Sequence, residues 1–174
     1  MTTKAHALGR LFNLANALSV VNLCAAANTG NRIHLKDYEG VTFVLMADAG
    51  TDGDDVQADL QQHDAATSGN SKDLDAITDY FKQEETTLDA DETWTRVTQA
   101  EASEIAAVAD SAEKENLYVI EVRADQLDIA NGYEWISLNV PDLGVAGTKF
   151  GGVLAILWGP RYMSAPEDLA QVNA

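Results

Sequence analysis

The chain has 174 residues, a length typical of one domain, and 46% of them are hydrophobic, which excludes wholesale disorder. It carries 28 acidic residues against 11 Lys and Arg, a formal net charge of −17. Such a surface repels phosphate groups, so we expect no direct nucleic-acid binding and no binding to an anionic membrane. No apolar run reaches the roughly 20 residues that a membrane span needs.

Cysteine usage and the N-terminal composition set further bounds. Cys24 is the only cysteine, so neither an intramolecular disulfide nor a cysteine-based zinc site is possible. Its apolar neighbours indicate a small buried side chain. Asparagines interrupt the apolar stretch over residues 11–27, so we expect no secretory signal.

The first 30 residues are predicted to form an N-terminal arm with a short helix. The apolar residues of this segment include Leu8, Leu11, Phe12, Leu14 and Leu18. Four leucines at intervals of three or four residues are typical of a helix, which we predict over residues 4–21. A β-domain need not cover such a stripe, so we expect Leu11, Phe12, Leu14 and Leu18 to contact a partner.

Strand patterns dominate from residue 32 onward. Residues 32–36 alternate polar and apolar side chains, as a half-buried strand does. Residues 41–47 are apolar at nearly every position, which indicates a strand covered on both faces. A turn over residues 37–40 joins the two, and together they resemble a hairpin.

The rest of the pattern predicts an all-β, mainly antiparallel fold. Further strands are predicted at residues 56–62, 76–83, 93–98, 118–123, 135–140 and 153–158. The last is a fully apolar run that suits a central strand. Residues 99–115 have helix propensity but lie between strands, which favours a long loop with at most a helical turn. Since helix and strand do not alternate, we expect a β-sandwich or a jelly roll over residues 31–158.

The C-terminal tail, residues 159–174, contains two prolines and little periodicity. Proline favours an extended chain, so we do not expect this tail to fold on itself. We expect Arg161, Tyr162 and Met163 to make intermolecular contacts. Deleting both ends is expected to leave residues 31–158 folded but unable to bind a partner.

Sites for chemistry are sparse in the sequence. The three histidines are far apart, and no nucleophile, phosphate-binding or zinc-protease motif occurs, so we expect no enzyme, no cofactor and no metal. Residues 48–55 hold four carboxylates and two glycines and so could wrap Ca²⁺, but they lack EF-hand spacing, which favours a solvated turn. Trp94, Trp135 and Trp158 could form a sugar-stacking platform, although core packing is the better interpretation.

Several short segments of the sequence, taken in order, resemble those of a known protein family. They are residues 23–30, 40–44, 49–55, 60–62, 80–83, 94–99 and 118–122. This order is similar to that of the small accessory head proteins of tailed bacteriophages, which decorate or cement capsids. The likeness spans roughly residues 8 to 170, and none of these segments is a catalytic motif. The acidic excess is heavier than is typical of such proteins.

The resemblance implies a structural virion protein made in the host cytoplasm. Such a protein docks on the capsid exterior, often as a homotrimer, and clamps neighbouring copies of the major capsid protein against the pressure of packaged DNA. Two alternatives stay open. One is a tail or neck component of the virion, and the other is a carbohydrate-binding β-sandwich module for host adhesion.

Overall fold

The computed structural model describes residues 6–89, 91–143 and 147–174. Over these ranges the chain forms eleven strands and three short 3₁₀ helices. The strands are β1 (Phe12–Asn22), β2 (Ile33–His34), β3 (Gly40–Ala47), β4 (Ala58–His63), β5 (Ser71–Asp73), β6 (Ile77–Glu85), β7 (Thr95–Ala102), β8 (Glu104–Ile105), β9 (Glu115–Arg123), β10 (Trp135–Asn139) and β11 (Phe150–Trp158). The 3₁₀ helices are Ala124–Gln126, Ile129–Asn131 and Pro166–Asp168.

The strands form two sheets. One has six strands in the order β1-β11-β3-β9-β6-β7, and the other has the order β2-β10-β4-β5 with β8 also paired to β4. Every pairing between these strands is antiparallel. The prediction of a mainly antiparallel all-β chain, with more strand than helix, is therefore confirmed for the described residues.

A single hydrophobic core takes side chains from both sheets. The six-stranded sheet contributes alternate residues of its central strands, such as Phe43 on β3 and Ile120 on β9, and the other sheet contributes residues such as Leu60 and Ile136. Each of these is at most 1% exposed. Full burial of one such side chain stabilises the fold by about 1.5–3 kcal/mol.

The helix predicted near the N-terminus is wrong over the residues described. Residues 12–22 form β1, which pairs antiparallel with β11; residues 1–5 of the predicted arm lie outside the described part. The side chains that β1 buries are Asn13, Ala15 and Ala17, which recur with the period of a strand. Because they are small or polar, they give no apolar signal, and the leucine spacing of residues 8–18 dominated the sequence pattern. Of these leucines only Leu14 and Leu18 lie on β1, and Leu18 also packs against the core.

The predicted hairpin of residues 32–36 and 41–47 is also wrong. β2 pairs with β10 in one sheet, whereas β3 lies between β11 and β9 in the other. The connecting residues Leu35 and Tyr38 are buried in the core, so the chain passes from sheet to sheet there instead of turning back on itself.

The stretch with helix propensity, residues 99–115, contains no helix. β7 continues to Ala102, and β8 then pairs with β4, where Ile105 lies opposite Ala58. The rest connects to β9 by turns, as the long-loop interpretation predicts. Pairing with neighbouring strands outweighs the small propensity differences of Ala and Glu.

The C-terminal tail, residues 159–174, forms hydrogen bonds with earlier parts of the same chain. The Arg161 backbone N–H donates to the Asp37 carbonyl at 2.9 Å, and the Ala174 N–H donates to the Arg32 carbonyl at 3.1 Å. Only the last residues pair with the edge of β2, through a bridge between Ile33 and Asn173. The one element within the tail is the 3₁₀ helix Pro166–Asp168, so nothing here contradicts the expectation that the tail does not fold on itself.

The division into residues 1–30, 31–158 and 159–174 stays a prediction, but the six-stranded sheet crosses its first boundary. β1 lies in the first segment and lines the edge of β11. Removing it would expose that edge and take away the buried side chains of Ala15 and Ala17. We therefore now expect the chain without both ends to be less stable, not independently folded.

Candidate docking surface

The six-stranded sheet carries an apolar face on the side opposite the core. We call it the outer face and define it by Leu14 on β1, Leu154 and Ile156 on β11, Val44 and Met46 on β3, and Leu117 and Val119 on β9. The strand register brings these residues together: Leu14 pairs with Ile156, Leu154 with Val44, and Val44 with Val119. Paired apolar side chains on one face of a sheet pack as a continuous surface.

The outer face is formed by strands in which both the inward-facing and the outward-facing residues are apolar. In β3 the buried residues Phe43 and Leu45 alternate with Val44 and Met46, which are partly or largely exposed. Runs of this kind usually belong to strands buried on both sides. Among the described residues, the core covers only the inner side.

Part of the outer face is an open depression of about 750 Å³. Its lining includes four large side chains that are at least 44% exposed: Leu14 (44%), Val20 (76%), Met46 (49%) and Phe150 (51%). Single exposed apolar residues are ordinary on protein surfaces, whereas a contiguous group marks a binding site. The geometry therefore favours contact with another molecule.

Two carboxylates border this depression. Asp48 accepts a hydrogen bond from the Phe150 backbone N–H at 2.5 Å, and Glu115 accepts one from the Leu88 backbone N–H at 2.8 Å. These bonds hold both acids in place beside the apolar lining. No Lys, Arg or His is among the described residues that line it.

The other end of the same sheet face is built around Trp158. Its indole lies over Gly40, where an added Cβ would come within 2.4 Å of the ring. Trp158 is therefore half-buried on the outer face. The prediction that it is a core residue, which was based on its place in an apolar run, is wrong. A smaller cleft of about 360 Å³ there is lined by Trp158, Arg123 and Arg161 among others.

The predicted interface residues fall into separate groups. Leu14 and Leu18 both line the depression. Leu11 is 68% exposed, and Phe12 pairs with Trp158 at the opposite end of β1.

The predicted residues of the tail lie apart from this depression. Arg161 lines the smaller cleft, and Tyr162 and Met163 are 74% and 70% exposed. Sequence reasoning missed Val20, Met46 and Phe150 as surface residues, although the doubly apolar runs of β3 and β11 were a signal for such a face.

The acidic loop, residues 48–55, is organised around an internal cation. Lys149 is completely buried, and its ammonium donates to the carbonyl oxygens of Ser111, Ala112 and Lys114 at 3.0, 2.8 and 3.1 Å. All three of its protons thus have acceptors. Burial lowers the pKa of Lys149, and the charges of the loop carboxylates, Asp48 first, act in the opposite direction.

The buried carboxylate of this loop, Asp54, is held by hydrogen bonds from within the loop. Asp54 is buried and accepts hydrogen bonds from the Thr51 backbone N–H (3.0 Å) and hydroxyl (2.7 Å). Burial would raise the pKa of Asp54, but hydrogen bonds from Thr51 and Cys24 and the charge of Lys149 outweigh it and lower the pKa. Burial, together with Asp54, raises the pKa of the Cys24 thiol to about 11, so this cysteine is not a reactive thiolate.

A second buried polar network surrounds His63 in the five-stranded sheet. His63 is 4% exposed, and its ring nitrogens lie 2.7 Å from Ser71 Oγ and 2.9 Å from Ser137 Oγ. Burial and the nearby Arg32 charge lower its pKa to about 4. The ring is therefore neutral near pH 7 and is held by two hydroxyl groups.

The three tryptophans lie on different elements: Trp94 precedes β7, Trp135 begins β10 and Trp158 ends β11. The ring of His34 stacks on Trp135 with centroids 4.3 Å apart and planes 9° apart. Trp158 covers Gly40, and Trp94 is 50% exposed on the segment before β7. Two of the three rings therefore have one face in contact with the protein itself.

Other site types receive little support from the described residues. The carboxylates of Asp89, Asp91 and Glu92 have oxygens within 4.8 Å of one another on the turn between β6 and β7. Such clusters are common on a chain with a charge of −17, so we assign no metal site there. No helix in the described ranges is long and apolar enough to cross a membrane.

Comparisons with known proteins leave the chain without an assigned relative. No protein-family model, curated protein or solved structure matches it.

Proposed function

We propose that this protein decorates the exterior of a bacteriophage head, where it binds and stabilises the lattice of the major capsid protein. The apolar outer face of the six-stranded sheet carries this proposal, with its centre at Leu14, Leu154, Val44 and Met46. A protein that otherwise has a strongly charged surface keeps such a face only where a partner covers it.

Within the all-β class we propose that the two sheets form a jelly roll, and the strand order supports this architecture. From β1 to β4 the chain alternates between the two sheets, and β9, β10 and β11 alternate again. The rows β1-β11-β3-β9 and β2-β10-β4-β5 have the order expected of eight strands folded as two Greek keys, with β6 and β7 added at one edge. Jelly rolls are frequent in viral capsid proteins and in lectins.

In this function the rigid sheets supply shape and the surface charge prevents capture of nucleic acid. We propose that copies associate as homotrimers on the shell and that each contact is weak. Many weak contacts then reinforce one particle, because binding stabilises the assembled lattice by mass action. No catalytic step is involved, and the protein acts on the outside of the virion.

Sedimentation with capsid shells tests the proposal. Shells assembled from the major capsid protein of the same genome are mixed with the protein and pelleted. Met46→Glu and Ile129→Glu form a matched pair, since the two side chains are 49% and 47% exposed and only Met46 lies on the outer face.

We expect the original protein and Ile129→Glu to pellet with shells, and Met46→Glu to bind at least about tenfold more weakly. Equal binding by both variants would place docking outside the outer face. Failure of the original protein to bind shells, while tail or neck fractions retain it, would overturn the assignment to the head.

A further inference from the structure

We infer that the depression on the outer face binds a protein segment whose apolar side chains are flanked by Lys or Arg. This inference rests on the proposed function for its biological setting and adds the chemistry of the partner. Its basis is the combination of an apolar lining with the two fixed carboxylates of Asp48 and Glu115.

The apolar part of the site selects for burial of apolar side chains. Val20, Met46 and Phe150 are each about half or more exposed and border one open depression. Covering them removes apolar surface from water, the dominant favourable term in protein association. Gly152 also lines the depression and packs closely against β1, since an added Cβ there would lie 2.9 Å from the Leu18 carbonyl.

The two carboxylates at the rim favour a partner that has Lys or Arg beside its apolar side chains. Asp48 is exposed, and Glu115 is partly exposed, so both carboxylates can meet a cation at the rim. Each already accepts one backbone N–H, which fixes its position without neutralising its charge. Lys149 attracts Asp48 from inside the protein, but its ammonium is buried and already donates to three carbonyls. No cation of the described residues lines the depression itself, so a complementary cation on the solvent side of the rim would come from the partner.

A second copy of the chain satisfies these conditions poorly. Its own outer face would bring another Asp48 and Glu115 toward the same acidic rim, and each copy carries a net charge of −17. Like charges brought together across an interface oppose binding. The proposed homotrimer would therefore form through other surfaces.

Binding of synthetic peptides tests the inference without capsid shells. The probes are an amphipathic peptide of leucine and lysine and the same peptide with glutamate at every lysine position. We expect the original protein to bind the lysine peptide and to bind the glutamate peptide at least about tenfold more weakly.

Met46→Glu separates specific docking from general attraction. This variant adds a negative charge, so it should bind the lysine peptide more tightly if net charge alone is responsible. We expect binding at least about tenfold weaker, whereas Ile129→Glu, with the same added charge outside the depression, should bind as the original protein does. Equal or tighter binding by Met46→Glu would overturn the inference.

The double variant Asp48→Asn and Glu115→Gln tests the rim. Both replacements keep an oxygen acceptor for the backbone N–H but remove the charge. We expect several-fold weaker peptide binding and a weaker dependence on salt, because two exposed ion pairs are lost. Unchanged affinity and salt dependence would show that the rim does not select cations, and that outcome would refute the inference.

The two proposals can fail separately. If Met46→Glu loses shell binding while the rim variant binds shells normally at every salt concentration, the proposed function stands and the inference about the partner is wrong. If the protein self-associates and Met46→Glu makes it monomeric, the occupant is a second copy and the inference is also wrong. Peptide binding as expected, without any binding to shells, would leave the inference standing and refute the function.

Discussion

The outer face and the Lys149 cluster, formed by Lys149, Asp54 and the carbonyls of Ser111, Ala112 and Lys114, are opposite exceptions to the usual distribution of residues. At the outer face, apolar side chains such as Met46 and Phe150 lie largely in water. In the cluster, the charged groups of Lys149 and Asp54 are fully buried. A buried charge costs free energy unless it is compensated by hydrogen bonds. Three carbonyls compensate the ammonium of Lys149, whereas Thr51 compensates only one carboxylate oxygen of Asp54, and the other, Oδ1, is buried without a hydrogen-bond partner among the described residues.

The two regions differ in where their contacts come from, the same chain or another molecule. The ammonium of Lys149 has three carbonyl acceptors in the loop before β9, so its charge is compensated within one molecule and the cluster joins two loops. The outer face has no cover among the described residues, so its completion depends on another molecule. Perturbing the first should therefore change stability, and perturbing the second should change binding.

The largest effect is expected from Lys149→Met. The variant removes one hydrogen bond from each of the carbonyls of Ser111, Ala112 and Lys114, which keep other donors from Asn116 and Gly50, and it removes the positive charge near the buried Asp54. We expect a loss of about 3–5 kcal/mol in the free energy of unfolding, measured by urea denaturation. Lys36→Met, at an exposed lysine, should change it by less than about 0.5 kcal/mol. Similar values for the two variants would mean that the cluster does not support the fold.

Adjacent residues of β3 give a direct comparison of the two sides of the sheet. Leu45 is 1% exposed on the inner side, and Met46 is 49% exposed on the outer side. Leu45→Ala should cost about 2–5 kcal/mol in the free energy of unfolding, and Met46→Ala less than about 1 kcal/mol. A large loss in Met46→Ala would show that the outer face contributes to folding of the single chain.

Acid should destabilise the protein through His63. The pKa of this residue falls from 6.5 to about 4 on folding, so between these values the unfolded chain binds more protons than the folded one. Stability therefore rises with pH across this window and is lost as pH falls from about 6.5 to 4, by up to about 3 kcal/mol. Urea titrations at several pH values measure it. His63→Gln should show a flatter profile over the same window, and an unchanged profile would refute the assignment.

The smallest effect is expected from removal of divalent cations. Because Lys149 supplies the positive charge beside the acidic loop, EDTA should leave the melting temperature unchanged. Thermal denaturation with and without EDTA, and with added Ca²⁺, measures this. A clear fall with EDTA that Ca²⁺ reverses would show that the loop binds a cation after all.

Sequence reasoning identified most strands because their side chains alternate locally. β3, β9, β10 and β11 lie close to the predicted positions, since each has β-branched and apolar residues at the period of a strand. β1 was mistaken for a helix because its buried side chains, Asn13, Ala15 and Ala17, are small or polar. The four leucines at positions 8, 11, 14 and 18 are spaced by three and four residues, although only the last two lie on β1. That spacing indicates a helix when the buried side of the strand gives no apolar signal.

The candidate site was foreseen only in part. Leu14 and Leu18 were predicted as contact residues, and both line the depression, although on a strand instead of a helix. Met46 and Phe150 belong to other strands, and only the antiparallel register places them beside β1. The charge of −17 was visible from composition, but which carboxylates border the apolar lining was not.

By itself, the sequence determined the fold class, the excess of negative charge and the presence of strands apolar at both alternations. These properties depend on residue type and on short periodicity along the chain. The tertiary structure alone decided that β2 and β3 belong to different sheets, that the tail pairs with its own chain, and that Lys149 is the cation of the acidic loop. Each of these depends on contacts between residues far apart in sequence, and local patterns do not specify which distant groups meet.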